Sequence, residues 1–76
     1  MNPKFGYVKE TLRKPCGAIN FHEGQVVKMI RPDKFNPRWC DVKTVSGSIR
    51  ELEVKYFVES EKAKEYYEAG KRNIND

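Results

Sequence analysis

The side chains with the most reactive chemistry in this sequence are two thiols, one imidazole and a nearby carboxylate. They belong to Cys16, Cys40, His22 and Asp41. Together they are the raw material of a metal site or of a nucleophile–base–orienter arrangement. Their spacing supports neither. Structural metal sites are announced by CxxC or HxxxH pairs, and neither pair occurs. A Cys16/His22 nucleophile pair with Asp41 behind it has no oxyanion loop to serve it. A chain of 76 residues is also too short for a sheltered pocket. The reading is therefore of incidental or buried thiols, of a chain that is not an enzyme, and of no metal and no cofactor.

Recognition chemistry is better represented. Trp39 is the one tryptophan, and Arg13, Lys14, Arg31, Lys34 and Arg38 fall in the two loops expected around it, with Phe35 and Tyr56 as further aromatic groups. A tryptophan among arginines is the usual composition of an energetic centre in a protein interface. Charge sharpens this. Residues 1–50 hold ten Lys/Arg against four Asp/Glu, a net of +6, while residues 51–76 hold five against seven, a net of −2. A basic body attracts nucleic acid, anionic membrane or an acidic protein. Taken singly, each basic residue is read as solvated surface, and Trp39 as either platform or core.

The elements that must position these residues follow from patterning. The organising stretch runs from Ile19 to Phe57. It contains strand-like runs at Gln25–Ile30, Trp39–Val45 and Ser48–Leu52. On a two-residue period Val27 and Met29 share one face of the first run, and Val26, Lys28 and Ile30 the other. Arg31–Arg38 is a loop, because its prolines lack the ladder donor and Asp33 and Asn36 favour turns. Val42 is the clearest core residue of the second run, with Asp41 and Lys43 outward. Ser46-Gly47 makes the tight hairpin, with Ile49 and Leu52 on the third run. Glu53–Val58 has room for one 3₁₀ turn and a last strand.

Before this stretch, Phe5–Leu12 reads as a first strand bending into a long loop punctuated by Pro15 and Gly17; within the stretch, His22-Glu23-Gly24 reads as a turn. After it, Ser60 caps a helix from Glu61 to about Ala69, with Ala63, Tyr66 and Tyr67 on one face and Gly70 as its stop. Tyr66 and Tyr67 are expected to cover an open edge or end of the β-domain, with dimerisation or docking in a groove as the competing use. The sequence thus divides into a β-domain over 1–58, a packed helix over 59–72 and a disordered tail over 73–76.

Nine aromatic residues and a 38% hydrophobic content place the chain among globular domains. At this size it buries roughly 60–65% of its unfolded surface, so its core is thin. Met1–Phe5 is too short and polar for a signal peptide, and no run approaches the ~18 apolar residues of a membrane span. The expectation is a cytoplasmic protein with no membrane association, in which a Cys16–Cys40 disulfide is disfavoured.

The order of features resembles SH3 domains over roughly Tyr7 to Val58. INFHEGQVVKMI is similar to the family's stretch in which an apolar pair precedes an acidic-Gly turn and a strand. Trp39 stands at the family's first tryptophan. Ser46-Gly47 resembles its distal hairpin, and ELEVKYF its 3₁₀ turn and closing strand. The resemblance implies an all-β fold, a small five-stranded SH3-like barrel, here followed by a C-terminal α-helix. It also implies a ligand face containing Trp39 and Tyr56, or Phe57 after a one-residue shift.

The family's polyproline groove is altered. Its two tyrosines become Lys9 and Thr11, and its proline becomes Glu53. Its acidic first loop carries Arg13 and Lys14 instead, so the sign of the face is inverted. The implied function is non-enzymatic binding of an acidic protein or peptide, as an accessory subunit, inhibitor or regulator of the kind common in bacteria and phages. The alternative is a nucleic-acid-binding SH3-like protein whose basic face contacts phosphates and whose Phe35, Trp39 and Tyr56 stack on bases, although the Gly-rich signature of such barrels is missing. Either a monomer or a homodimer is compatible with this reading.

Overall fold

A computed structural model describes residues 3–33 and 35–74. The chain is mostly strand, with one helix at its C-terminal end. Strand β1 spans Lys4–Val8, β2 Leu12–Arg13, β3 Ile19–Phe21, β4 Val26–Pro32, β5 Trp39–Thr44, β6 Ile49–Glu53 and β7 Phe57–Glu59. A 3₁₀ turn at Val54–Tyr56 precedes β7, and helix α1 spans Glu61–Glu68. Five strands form one antiparallel sheet in the order β6-β5-β4-β1-β7, so β6 and β7 lie at its edges. The short strands β2 and β3 pair with each other as a separate hairpin.

Strand β5 shows most directly how sequence becomes burial. Cys40, Val42 and Thr44 are buried while Trp39, Asp41 and Lys43 are half-buried, a strict two-residue alternation. The pairing Cys40↔Leu52 carries the same inner face onto β6. With Val8, Phe21 and Val27 these residues make the core, against which Leu12, Met29, Tyr56 and Phe57 pack. Ile49 lies on the opposite face of β6 from Leu52. It pairs with Lys43 on the outer face and stays 64% exposed.

Strand β4 departs from simple alternation. Val26 and Val27 are both fully buried although they point to opposite faces. Helix α1 explains this, because it packs on β1 and β4 and covers the sheet's second face. Ala63 is its buried contact, and Tyr67 meets Phe5 edge-on at 5.4 Å between ring centres. The Lys28 ammonium lies 6.0 Å from the Phe5 ring and 5.9 Å from the Tyr67 ring, closing that layer with its charge in water.

The helix ends obey local rules. Ser60 Oγ accepts from the Ala63 amide. Gly70, at φ 77°, lets its own amide donate to Tyr67 and that of Lys71 to Tyr66, both to carbonyl oxygens.

The expected disordered tail is corrected in part. Asn73 and Ile74 return to the sheet: Asn73 bridges Gln25, the Val26 amide donates to the Arg72 carbonyl at 2.8 Å, and the Ile74 amide donates to the Gly24 carbonyl at 2.9 Å. On the side away from β1 the β4–β5 pairing ends at Val27↔Thr44, and the tail satisfies the backbone groups of β4 beyond it. The last two residues lie outside those described. Among the described residues no helix is long and apolar enough to cross a membrane.

Candidate functional site

The loop between β4 and β5 closes on the backbone of Trp39. The Asp33 amide donates to the Trp39 carbonyl, and the Trp39 amide to the Asn36 carbonyl, each at 3.1 Å. Side chains stiffen the loop. Asp33 Oδ1 accepts from the Phe35 amide at 2.9 Å, and Asn36 Oδ1 from the Arg38 amide at 3.1 Å. These are the local turns that Asp and Asn favour. The result holds Phe35 almost wholly in water, at 96% exposure. Trp39 follows on the outer face of β5, half-buried.

The neighbouring wall comes from the 3₁₀ turn. Trp39 pairs with Glu53, and the Val54 amide donates to the Arg38 carbonyl at 2.8 Å. Val54 is itself 39% exposed beside this contact. Tyr56 ends the turn half-buried, with the Lys55 ammonium 5.1 Å from its ring centre. Its carbonyl accepts from the Lys9 amide at 2.7 Å, which fixes the start of the β1–β2 connection beside it. Phe57, the competing candidate, begins β7 and lays its ring against Gly6 and the core.

The basic residues are not equivalent. Arg38 is exposed next to Trp39. Arg31 is tied by its Nε to Asp41 Oδ2 at 3.0 Å, so part of its charge is already matched. Arg13 donates from Nη1 to the Gly17 carbonyl at 2.9 Å and so closes its own hairpin, with Lys14 exposed at the turn. Lys34 lies outside the described residues. The structure therefore joins Phe35, Arg38 and Trp39 through one hydrogen-bonded loop with Val54 bonded to it, and places Tyr56 two residues further on, its backbone bonded to Lys9. Val54 was not anticipated there. An apolar residue opening the turn after Glu53 was the available signal.

The reactive groups of the sequence are dispersed. Cys16 is exposed in the hairpin turn, Cys40 is fully buried in β5, and both are free thiols. Cys40 Sγ donates to the Leu52 carbonyl at 3.3 Å. Burial, reinforced by the Asp41 carboxylate, pushes its thiol up to about 11, which keeps it protonated and unreactive at neutral pH. His22 is exposed in the turn before β4, its amide bonded to Gln25 Oε1. Among the described residues no group of three or more His, Cys, Asp or Glu side chains is placed to hold a metal ion.

A separate cleft of about 510 Å³ lies between the β2–β3 hairpin, the β5–β6 turn and the segment after α1, and Trp39 takes no part in it. Compared with known proteins, the chain matches no family model, no curated protein and no solved structure.

Proposed function

We propose that this chain is a non-enzymatic protein-binding module with an SH3-like barrel fold, docking an acidic protein surface or peptide at the Trp39 end of the sheet. The succession of elements supports the fold reading. A hairpin precedes β4, a meander runs β4–β5–β6, and a 3₁₀ turn leads into a last strand beside β1. That is the order of loops the sequence resemblance implies.

One observation carries the functional reading: the 96% exposure of Phe35 on a hydrogen-bonded loop closed against Trp39. A phenylalanine left in water forgoes about 1.5–3 kcal/mol of burial. A partner that covers it recovers that free energy, and the hydrogen bonds at Asp33, Asn36 and Trp39 lessen the entropy lost in binding. Arg38 and, less fully, Arg31 supply the rim charge that speeds encounter with an acidic surface.

The test is affinity capture from host lysate with the wild-type chain, Phe35→Ser and Trp39→Ala, with and without nuclease. A nuclease-resistant partner that elutes with salt and is weakened by more than about 2 kcal/mol in Trp39→Ala supports the reading. Bound material that vanishes with nuclease replaces it with phosphate recognition by the basic face. Capture indifferent to both substitutions removes this end of the sheet from function.

A further inference from the structure

The cleft opposite the Trp39 site has its own chemistry. At about 510 Å³ it falls within the roughly 300–1,000 Å³ of small-molecule sites. Arg50 and Arg72 both line it, and Glu23 is the acidic residue among its described lining. Asn20, Gln25 and Ser46 add neutral polar groups to the walls.

Each arginine is there for a structural reason. Arg50 lies two residues before Leu52 on β6 and so shares its inward face. Its stem enters the interior, and its guanidinium rests 5.7 Å from the Phe21 ring centre while Nη1 donates to the Asn20 carbonyl at 2.5 Å. A guanidinium carries five N–H donors, so this anchor leaves others for a ligand.

Arg72 arrives by the returning tail. Its carbonyl accepts from Val26, and the next residue, Asn73, donates from Nδ2 to the Glu23 carbonyl at 2.9 Å. Neither guanidinium takes part in an ion pair among the described residues. Arg50 is anchored and Arg72 is exposed on the same lining; two cations that meet in one concavity repel each other, and a shared oxyanion reverses the sign of that interaction.

We propose that this cleft binds a small molecule bearing an oxyanion, phosphate or carboxylate, gripped between Arg50 and Arg72. The site is independent of the Trp39 surface.

The experiment is an NMR titration of the labelled full chain with inorganic pyrophosphate and, separately, with citrate. The expected result is saturable shifts at the amides of Asn20, Gln25, Ser46 and Arg72, with the Trp39 indole unmoved. Arg72 is exposed, so Arg72→Ala retains the fold, checked at the Val42 amide, and weakens binding at least about tenfold. Arg50→Lys keeps the charge but loses the fork, and also weakens binding. Saturation by pyrophosphate alone assigns a phosphate ligand, and saturation by citrate alone a carboxylate. Non-saturable shifts, shifts spread over every basic residue, or undiminished binding by Arg72→Ala would overturn the proposal.

Discussion

At the scale of the residue, Gly6 shows how closely β7 packs on β1. A Cβ there would collide with the Val58 carbonyl oxygen and lie 2.6 and 2.7 Å from atoms of the Phe57 ring. Backbone on one side and an aromatic ring on the other leave no room to yield. Gly6→Ala is expected to cost about 1–3 kcal/mol through overpacking. Urea unfolding would read this as a lower midpoint at unchanged slope. A neutral result would mean that Phe57 has room to move, and with it the start of β7. Thr44 is the polar counterpart. It is 2% exposed, yet its hydroxyl bonds Ser46 Oγ and the Ser48 amide, and its carbonyl accepts from the Tyr67 hydroxyl. Burial of that polar side chain is tolerated because its bonds are made.

At the scale of the element, α1 is too short to stand alone. Eight residues fall below the ~12–15 at which isolated helices become even marginal in water. Its ends and one face must hold it. Ser60→Ala removes the acceptor for the Ala63 amide, and Gly70→Ala forces a side chain into a positive φ. Each is expected to lower stability by about 1 kcal/mol. The two ends are far enough apart for the losses to add in the double variant. Losses well under half that size would show that packing of Ala63 and Tyr67 on β1 and β4 holds the helix without its caps.

At the scale of the whole molecule, the chain end and the first half of the sheet are coupled. Val26 is fully buried, and its amide has Arg72 as its acceptor. Removing residues 71–76 leaves that donor and the Gly24 carbonyl without their partners. Amide exchange at Val26 is expected to accelerate by at least about tenfold, while Val42, in the middle of β5, changes only by the global loss of stability. Equal acceleration at both would mean that the tail supports the fold as a whole, and no change that water replaces it. The same deletion removes Arg72 from the cleft, so the tail links stability to the proposed anion site.

The sequence by itself determined what depends on neighbours along the chain. The turn at Ser46-Gly47, the Asp33 and Asn36 loop bonds, the alternation of Trp39–Thr44 and both ends of α1 rest on local sterics and hydrogen bonding, and all were legible. So was the candidacy of Trp39, Phe35 and Arg38, because a loop containing two prolines has to stand out from a sheet. Tertiary structure alone decided what depends on distant segments meeting. The burial of both Val26 and Val27 required α1 to cover a second face of the sheet. Ile49 faced outward because its register with Lys43 was set by the hairpin, whatever its hydrophobicity. The partial matching of the Arg31 charge depended on Asp41 across a strand pair. Arg50 and Arg72 share a cleft only because the tail pairs with Gln25, and no spacing in the sequence records that contact.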